Sequence, residues 1–198
     1  MTKKAVDVVL LPEEKIADMA IKLNAQLVGK FGPRIVLNKN TCLPHISLAM
    51  GCIDDSDMPY INSTLKEVVQ NTRPPSLEII DIEAQTNAVG ETVLLFKIRN
   101  DNELQSLHKE VMEKMLAFFK NKVSDDMLFD NQAELSTLMW IRDYREKSSY
   151  SHFNPHITIG YGEMTTTQPR CKFNATSLAL CHLGNHCTCR NVLMHIPL

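Results

Sequence analysis

No stretch of this 198-residue chain approaches the roughly 20 consecutive apolar residues that a membrane-spanning helix needs. The N-terminal MTKKAVDVVLLPEEK starts basic, but Asp7 interrupts its apolar run and Pro12-Glu13-Glu14 ends it. It lacks both the apolar core of about 7–15 residues and the small-residue cleavage site of a signal peptide. A first strand is expected there instead, and no membrane partner. An excess of one charge is missing too: 21 Lys plus Arg against 23 Asp plus Glu leave a formal charge of −2. That argues against a surface that tracks long stretches of nucleic-acid backbone, duplex DNA included, which needs a broad positive field. A pocket for one phosphate or one nucleotide is still allowed. Linkers and low-complexity segments are absent as well. Six cysteines (42, 52, 171, 181, 187 and 189) suffice for three disulfides, but a chain of this size that is 44% hydrophobic needs no such staples. Reduced thiols and a cytoplasmic location are therefore expected.

What is present is an alternation of strand-like and helix-like segments. Residues 5–11 read as a short buried strand. From Pro12 to Phe31 the apolar residues Ile16, Met19, Ala20, Leu23, Leu27 and Phe31 recur at three- and four-residue steps, which makes one face of a helix stopped by Gly32-Pro33. A short strand is expected at 34–37, another at about 44–50, and a weaker helix at 57–71. Two strand-like runs, 77–84 and 91–98, flank a turn at Asn87 to Gly90. Asp101 or Asn102 caps a helix whose Leu104, Leu107, Val111, Met115 and Phe118 share a face. A helix around Gln132–Arg145 carries the single tryptophan, Trp140. Strands follow at 155–161, 177–183 and 188–196, the last two around a tight Gly184-Asn185 turn. The expected fold is α+β: one domain over residues 1–198 with two similar lobes in a pseudo-twofold arrangement.

One phrase is written twice. Leu43-Pro44-His45-Ile46-Ser47-Leu48 returns 111 positions on (45 to 156) as Asn154-Pro155-His156-Ile157-Thr158-Ile159. Residues two apart in a strand project to the same side, about 6.6 Å apart. Unbroken alternation places His45, Ser47, Ala49 and Gly51 on one face, and His156, Thr158, Gly160 and Gly162 on the corresponding face of the second copy. Ile46, Leu48 and Met50, and likewise Ile157, Ile159 and Tyr161, lie opposite. The small residues beyond each hydroxyl are expected to leave room for a ligand.

Histidine titrates near neutral pH, so of two facing imidazoles one can act as general base and the other, protonated, as general acid. A hydroxyl one pleat away can donate to an oxygen on which charge builds. A phosphodiester matches that set, with an attacking oxygen, a leaving oxygen in line and two non-bridging oxygens for two hydroxyls. His45 and His156 are the candidate catalytic pair, and Ser47 and Thr158 the candidate phosphate-binding pair. The scheme requires no metal and no cofactor.

These two His-x-Ser/Thr motifs resemble those of the two-histidine (2H) phosphoesterases, which include 2′-5′ RNA ligase-like proteins and cyclic nucleotide phosphodiesterases. The resemblance covers most of the chain and implies a bilobal α+β fold with a central cleft, metal-independent, with both motifs on its floor. It implies action on 2′,3′-cyclic phosphates, 2′-5′ linkages, ADP-ribose cyclic phosphate or RNA 3′ ends. Approximate twofold symmetry leaves open which histidine is base and which acid, with His156 favoured as base in hydrolysis. Two departures stand out. Residues 123–150 form a longer insert than compact members carry, expected to remodel the rim. Gly160-Tyr161-Gly162 stands where some relatives place an arginine, so Arg34, Lys39, Arg142 and Arg145 become the candidate cations for the phosphate. Tyr150, Phe153 and Tyr161 are candidates to stack on a base, and Gly160 to approach the substrate.

Three rival readings come from the same residues. Cys181, His182, His186, Cys187 and Cys189 fall within nine positions and invite zinc, but Cys181 and His182 alternate faces and no second ligand pair has standard spacing. Cys42, three residues before His45, could serve a thiol enzyme, although packing suits it better. A nucleotide- or RNA-end-binding module without turnover would use the same pocket.

Overall fold

The apolar run near the N-terminus forms strand β1 (Lys3–Pro12), which is central to its sheet because it is flanked on both sides. The computed structural model describes residues 2–72, 74–87, 89–120, 122–164 and 170–198. Along these run α1 (Glu14–Phe31), β2 (Ile46–Asp54), α2 (Met58–Asn71), β3 (Leu77–Thr86), β4 (Thr92–Ile98) and α3 (Asn102–Met115). They are followed by α4 (Leu135–Lys147), β5 (His156–Tyr161), β6 (Cys171–Phe173), β7 (Ala175–Leu183) and β8 (Cys189–Pro197). The strands make two antiparallel four-stranded sheets, ordered β2-β1-β7-β8 and β5-β4-β3-β6. Each motif strand is an edge, β2 of one sheet and β5 of the other, and the two edges come together.

The sheets are not consecutive halves of the chain, because β7 and β8 return to pair with β1. Helices cross over in the same way: α1, which follows β1, packs on β5, whereas α3, which follows β4, packs on β2. The apolar stripes anticipated on these helices are buried along their middle, while Phe31 is exposed and Met19, Leu23 and Phe118 are half-buried. Ile16, Ala20 and Leu27 of α1 are inside, as are Leu104, Leu107, Val111 and Met115 of α3. Asp101 caps α3 by accepting from the Leu104 N–H at 2.9 Å.

Both motif strands carry a β-bulge at matching positions. Opposite β1, Ala49 pairs with Val8 and Ser47 with Val9, so Leu48 is an extra residue. Opposite β4, Gly160 pairs with Leu94 and Thr158 with Leu95, so Ile159 is extra. A bulge leaves a backbone group without a ladder partner. Here each carbonyl is taken by a buried side chain on the crossing helix. The Asn24 amide of α1 donates to the Ile159 carbonyl at 2.7 Å, and the His108 Nδ1–H of α3 donates to the Leu48 carbonyl at 2.8 Å. Each side chain then holds the segment that leads into a motif. Asn24 also donates to the Ile35 carbonyl (2.9 Å) and accepts from the Leu37 N–H (2.8 Å). His108 Nε2 accepts from the Tyr150 N–H (2.8 Å).

These contacts correct four expectations. Residues 34–37 form no strand, because their backbone groups are spent on Asn24 rather than on a ladder. The β7–β8 turn is longer than a two-residue hairpin: residues Asn185–Cys187 make a helical turn, with His186 and Cys187 at positive φ. The short strand β6 has no counterpart in the expectation. One cysteine pair is not reduced. Register shifts between β7 and β8 bring Cys181 and Cys189 to a Cα separation of 5.4 Å, and they form a disulfide.

Asn24→Ala should cost about 2–4 kcal/mol in urea unfolding, since it strands three buried backbone groups at once; a loss below about 0.5 kcal/mol would refute that role. Burial pushes the His108 imidazole down to about 4, so its folded form stays neutral while the unfolded chain takes up a proton. Stability should therefore fall as pH drops from about 6.5 towards 4, by up to about 3 kcal/mol, and less in His108→Gln. Urea midpoints across that range for the two proteins check this.

Candidate active site at the two motif strands

The prolines that open the two phrases are buried, and the strands begin one or two residues later. At each start the histidine ring folds back on its own backbone. His45 Nδ1 lies 2.7 Å from the Leu43 carbonyl and His156 Nδ1 lies 2.8 Å from the Asn154 carbonyl, the same i to i−2 contact twice. A carbonyl only accepts, so each Nδ1 carries the proton and each Nε2 is left with its lone pair for chemistry. Burial lowers both imidazoles below 6.5. For His45 the neighbouring His156 adds to the effect. Glu83 acts in the opposite direction on His156. At neutral pH both rings are predominantly neutral bases, and neither is fully exposed.

The hydroxyls are arranged less symmetrically. Ser47 and Thr158 are both partly buried, one pleat beyond their histidines. Ser47 Oγ shares a 2.6 Å hydrogen bond with Oδ2 of Asp7, a fully buried carboxyl in β1 that also lies 3.9 Å from His45 Nε2. The second sheet has Val93 in the place of Asp7, opposite Tyr161 as Asp7 is opposite Met50.

Beyond the hydroxyls the expected alternation stops, because the bulges at Leu48 and Ile159 shift the parity. A Cβ built at Gly51 would collide with the Phe119 ring and one at Gly162 with the Phe31 ring. At Gly160, φ +155, a Cβ would sit 3.0 Å from the Asn24 amide nitrogen. These small residues admit side chains of the protein rather than a ligand.

The other anticipated contacts are largely engaged. Phe153 is buried and stacks on the His108 ring at 3.8 Å and 3°, so it is unavailable to a base. Tyr150 meets the same ring edge-on and holds it through its N–H. Tyr161 is sandwiched, with the Arg34 guanidinium 3.7 Å over its ring and its hydroxyl 3.1 Å from His186 Nδ1. Arg34 pairs with Glu91 and Glu134, Lys39 with Glu14 and Asp18, and Arg142 with Asp143. Arg145 is exposed on α4. The insert itself is a helix packed on β2, with Tyr144 buried close enough to Asp7 for their charges to interact.

Two charged residues escaped the sequence reading. Asp7 is one. The other is Lys97, which pairs with His156 across the β4–β5 ladder and so projects on the same side, its ammonium 2.8 Å from Glu83. Both interrupt apolar strands, AVDVVLL and TVLLFKI, and that interruption is the signal that marked them.

The rival chemistries fare differently. Cys181 and Cys189 are consumed by their disulfide, and His182 Nε2 lies 3.0 Å from the Met127 carbonyl. Among the described residues no three His, Cys, Asp or Glu side chains are placed to hold a metal. Burial pushes the Cys42 thiol up to about 11, which removes the thiolate a thiol enzyme needs. A polar cavity of about 210 Å³, lined by Arg34, Cys42, Asp130, His186 and Arg190, lies near the start of motif one and the end of motif two. No described helix is long and apolar enough to cross a membrane.

A family model of the 2′-5′ RNA ligase superfamily matches residues 42–178, which include both motifs. Compared with curated proteins by sequence, the chain has no match. Among solved structures it is similar to Escherichia coli LigT in its apo form, at 15% identity and a TM-score of 0.54 over 100% of this chain and 99% of that one. LigT complexed with NADP+ gives 13% and 0.53 over 100% and 99%. A phosphoesterase crystal structure gives 11% and 0.51 over 98% of each chain. At such identities the likeness is one of fold.

The ring contacts predict that, in ¹⁵N-resolved spectra above pH 7, His45 and His156 both appear as the Nδ1–H tautomer. Both should titrate below 6.5. An Nε2–H tautomer at either ring would contradict the arrangement.

Proposed function

The chain belongs to the 2′-5′ RNA ligase superfamily, and from that premise we propose that it is a phosphodiesterase that opens a 2′,3′-cyclic phosphate or a 2′-5′ linkage on a nucleotide or RNA end. The observation that carries this reading is the paired disposition of His45 and His156. Each ring has its Nδ1–H tied to a carbonyl two residues back with its Nε2 left free, the two motif strands come together, and His156 acts on the protonation of His45.

In the proposed reaction a neutral imidazole, His156 in the hydrolytic direction, takes the proton of water or of a ribose hydroxyl as that oxygen attacks phosphorus. The second imidazole, protonated His45, gives its Nε2 proton to the leaving oxygen. Ser47 and Thr158 donate to the two non-bridging oxygens as charge builds on them. Lys97 lies beside His156 with its ammonium paired to Glu83, so the two together place an ion pair, not a free cation, next to the attacking side. Both proton transfers are made by side chains, so the scheme calls for no metal. The fold's relatives add a consistent note, since LigT has been crystallised with NADP+ and with ATP.

The test is turnover of the four 2′,3′-cyclic nucleotides and of 2′-5′ dinucleotides with EDTA present. His45→Ala and His156→Ala should each lower kcat by about 10²–10⁴. A nitrophenyl leaving group, which needs little protonation, should restore His45→Ala but not His156→Ala. Near-wild-type rates in either variant would refute the pair. Nucleotide binding without turnover would instead favour a binding module.

The pH profile follows from the sign of the shifts. Activity needs one ring deprotonated and the other protonated, and both are lowered below 6.5. The bell in kcat/KM should therefore be centred on the acid side of 6.5. A maximum above pH 8 would contradict it.

A further inference from the structure

The buried carboxyl of Asp7 has no part in the two-histidine scheme, and its surroundings decide what it can do. It is 0% exposed in the middle of β1. Its ladder partners are Met50 and Cys181, the latter held in a disulfide, and its polar and titratable neighbours are the following. From β2 come the Ser47 hydroxyl at 2.6 Å, the Ala49 N–H, and His45 Nε2 at 3.9 Å. From α4 comes Tyr144, and from the β7–β8 turn Cys187, both of them groups that burial keeps protonated. None of these is a fixed positive charge. Its second oxygen, Oδ1, is buried with no hydrogen-bond partner.

A carboxylate in such a place is unfavourable, because desolvation without a cation penalises the charged form and leaves acceptor capacity unused. Burial is accordingly the dominant influence on Asp7, and it raises the carboxyl well above its ordinary range. The substrate adds to the argument: a phosphodiester anion against Ser47 would bring a second negative charge beside an ionised Asp7. A neutral carboxyl removes that repulsion. It also fixes the direction of the 2.6 Å hydrogen bond. A carboxylate can only accept, which would turn the Ser47 hydrogen inward to Asp7 and leave a lone pair facing the phosphate oxygen. A carboxylic acid can donate to Ser47 Oγ, leaving the Ser47 hydrogen free for the substrate.

We propose that Asp7 is a positioning residue that acts as a neutral carboxylic acid, donating its proton to Ser47 Oγ and so directing the Ser47 hydroxyl hydrogen toward a non-bridging oxygen of the bound phosphodiester. The pseudo-symmetric position holds Val93, so the device belongs to the first motif alone and is not demanded by the fold. It acts through Ser47 and rests on the phosphodiesterase reading for its consequence.

Three variants separate this role from a structural one. Asp7→Val, which copies Val93, should fold with a urea midpoint at least equal to wild type, since it removes a buried polar group with an unsatisfied atom. It should nevertheless lower kcat by about 10- to 100-fold, with KM nearly unchanged. Asp7→Asn, whose amide N–H can donate as the acid does, should restore kcat to within about threefold of wild type. Ser47→Ala should be as slow as Asp7→Val, and combining the two should add no further loss. In the alkaline limb, wild type should steepen where Asp7 ionises and Asp7→Asn should not. The state of the carboxyl is read without substrate from the infrared difference spectrum of wild type minus Asp7→Asn at pH 7, which should contain the C=O band of a protonated carboxyl. That reading stands even if no diester is turned over, so failure of the phosphodiesterase assignment and failure of this one are distinguishable. A carboxylate band in its place, Asp7→Asn as slow as Asp7→Val, or Asp7→Val at wild-type speed would each overturn the proposal.

Discussion

Two carbonyl oxygens, those of Leu48 and Ile159, set the conditions for the whole site. Each belongs to the extra residue of a bulge immediately after a motif hydroxyl, and each is buried away from its own ladder. Left unpaired, each would cost about 1–3 kcal/mol. The polar atoms that satisfy them, the His108 ring nitrogen and the Asn24 amide, come from helices that cross from the opposite sheet. The same two side chains hold the backbone ahead of each motif, at Tyr150 and at Ile35 and Leu37. Each buried group therefore joins a helix, the bulge of one motif and the lead-in segment of the other, His108 linking Leu48 to Tyr150 and Asn24 linking Ile159 to Ile35 and Leu37, so the two motif strands are tied to one another. Two edge strands are brought together in this way.

The two halves are alike in frame and different in detail. Frame means the bulge, the polar clamp, the glycine that receives a phenyl ring, and the imidazole turned back on its backbone. Detail means Asp7 against Val93 beneath the hydroxyls, Lys97 beside His156, and a helical insert packed on β2. Such inequality gives a proton shared by two coupled imidazoles a preferred ring, which suits a reaction with distinct entering and leaving oxygens. The charged differences lie within a pleat or two of the motifs.

Much of this was legible because it is written in one strand or helix at a time. The proline that opens each phrase, the imidazole and hydroxyl one pleat apart, and the apolar stripe from Ile16 to Leu27 all follow from local periodicity. What was not legible depends on two segments at once. A bulge is a mismatch of count between partners, so nothing within ISLAMG announces that Leu48 has no opposite residue. For that reason Gly51 and Gly162 read as space for a ligand, when they are space for Phe119 and Phe31. Ile35-Val36-Leu37 read as a strand because its backbone partner is a side chain eleven residues or more away. Asn24, His108, Asp7 and Lys97 share one trait visible in advance, each being a polar residue on an otherwise apolar face or run. Polar residues in such positions repay suspicion, because burial obliges them to have partners.

The place where a phosphate sits distinguishes the paired histidines from any other site. A crystal structure with a non-hydrolysable analogue of a 2′,3′-cyclic nucleotide places that group directly. The predicted result has phosphorus between the Nε2 atoms of His45 and His156, with the Ser47 and Thr158 hydroxyls on its non-bridging oxygens. Phosphate bound instead in the cavity lined by Arg34, His186 and Arg190, with both imidazoles untouched, would contradict the paired-histidine mechanism.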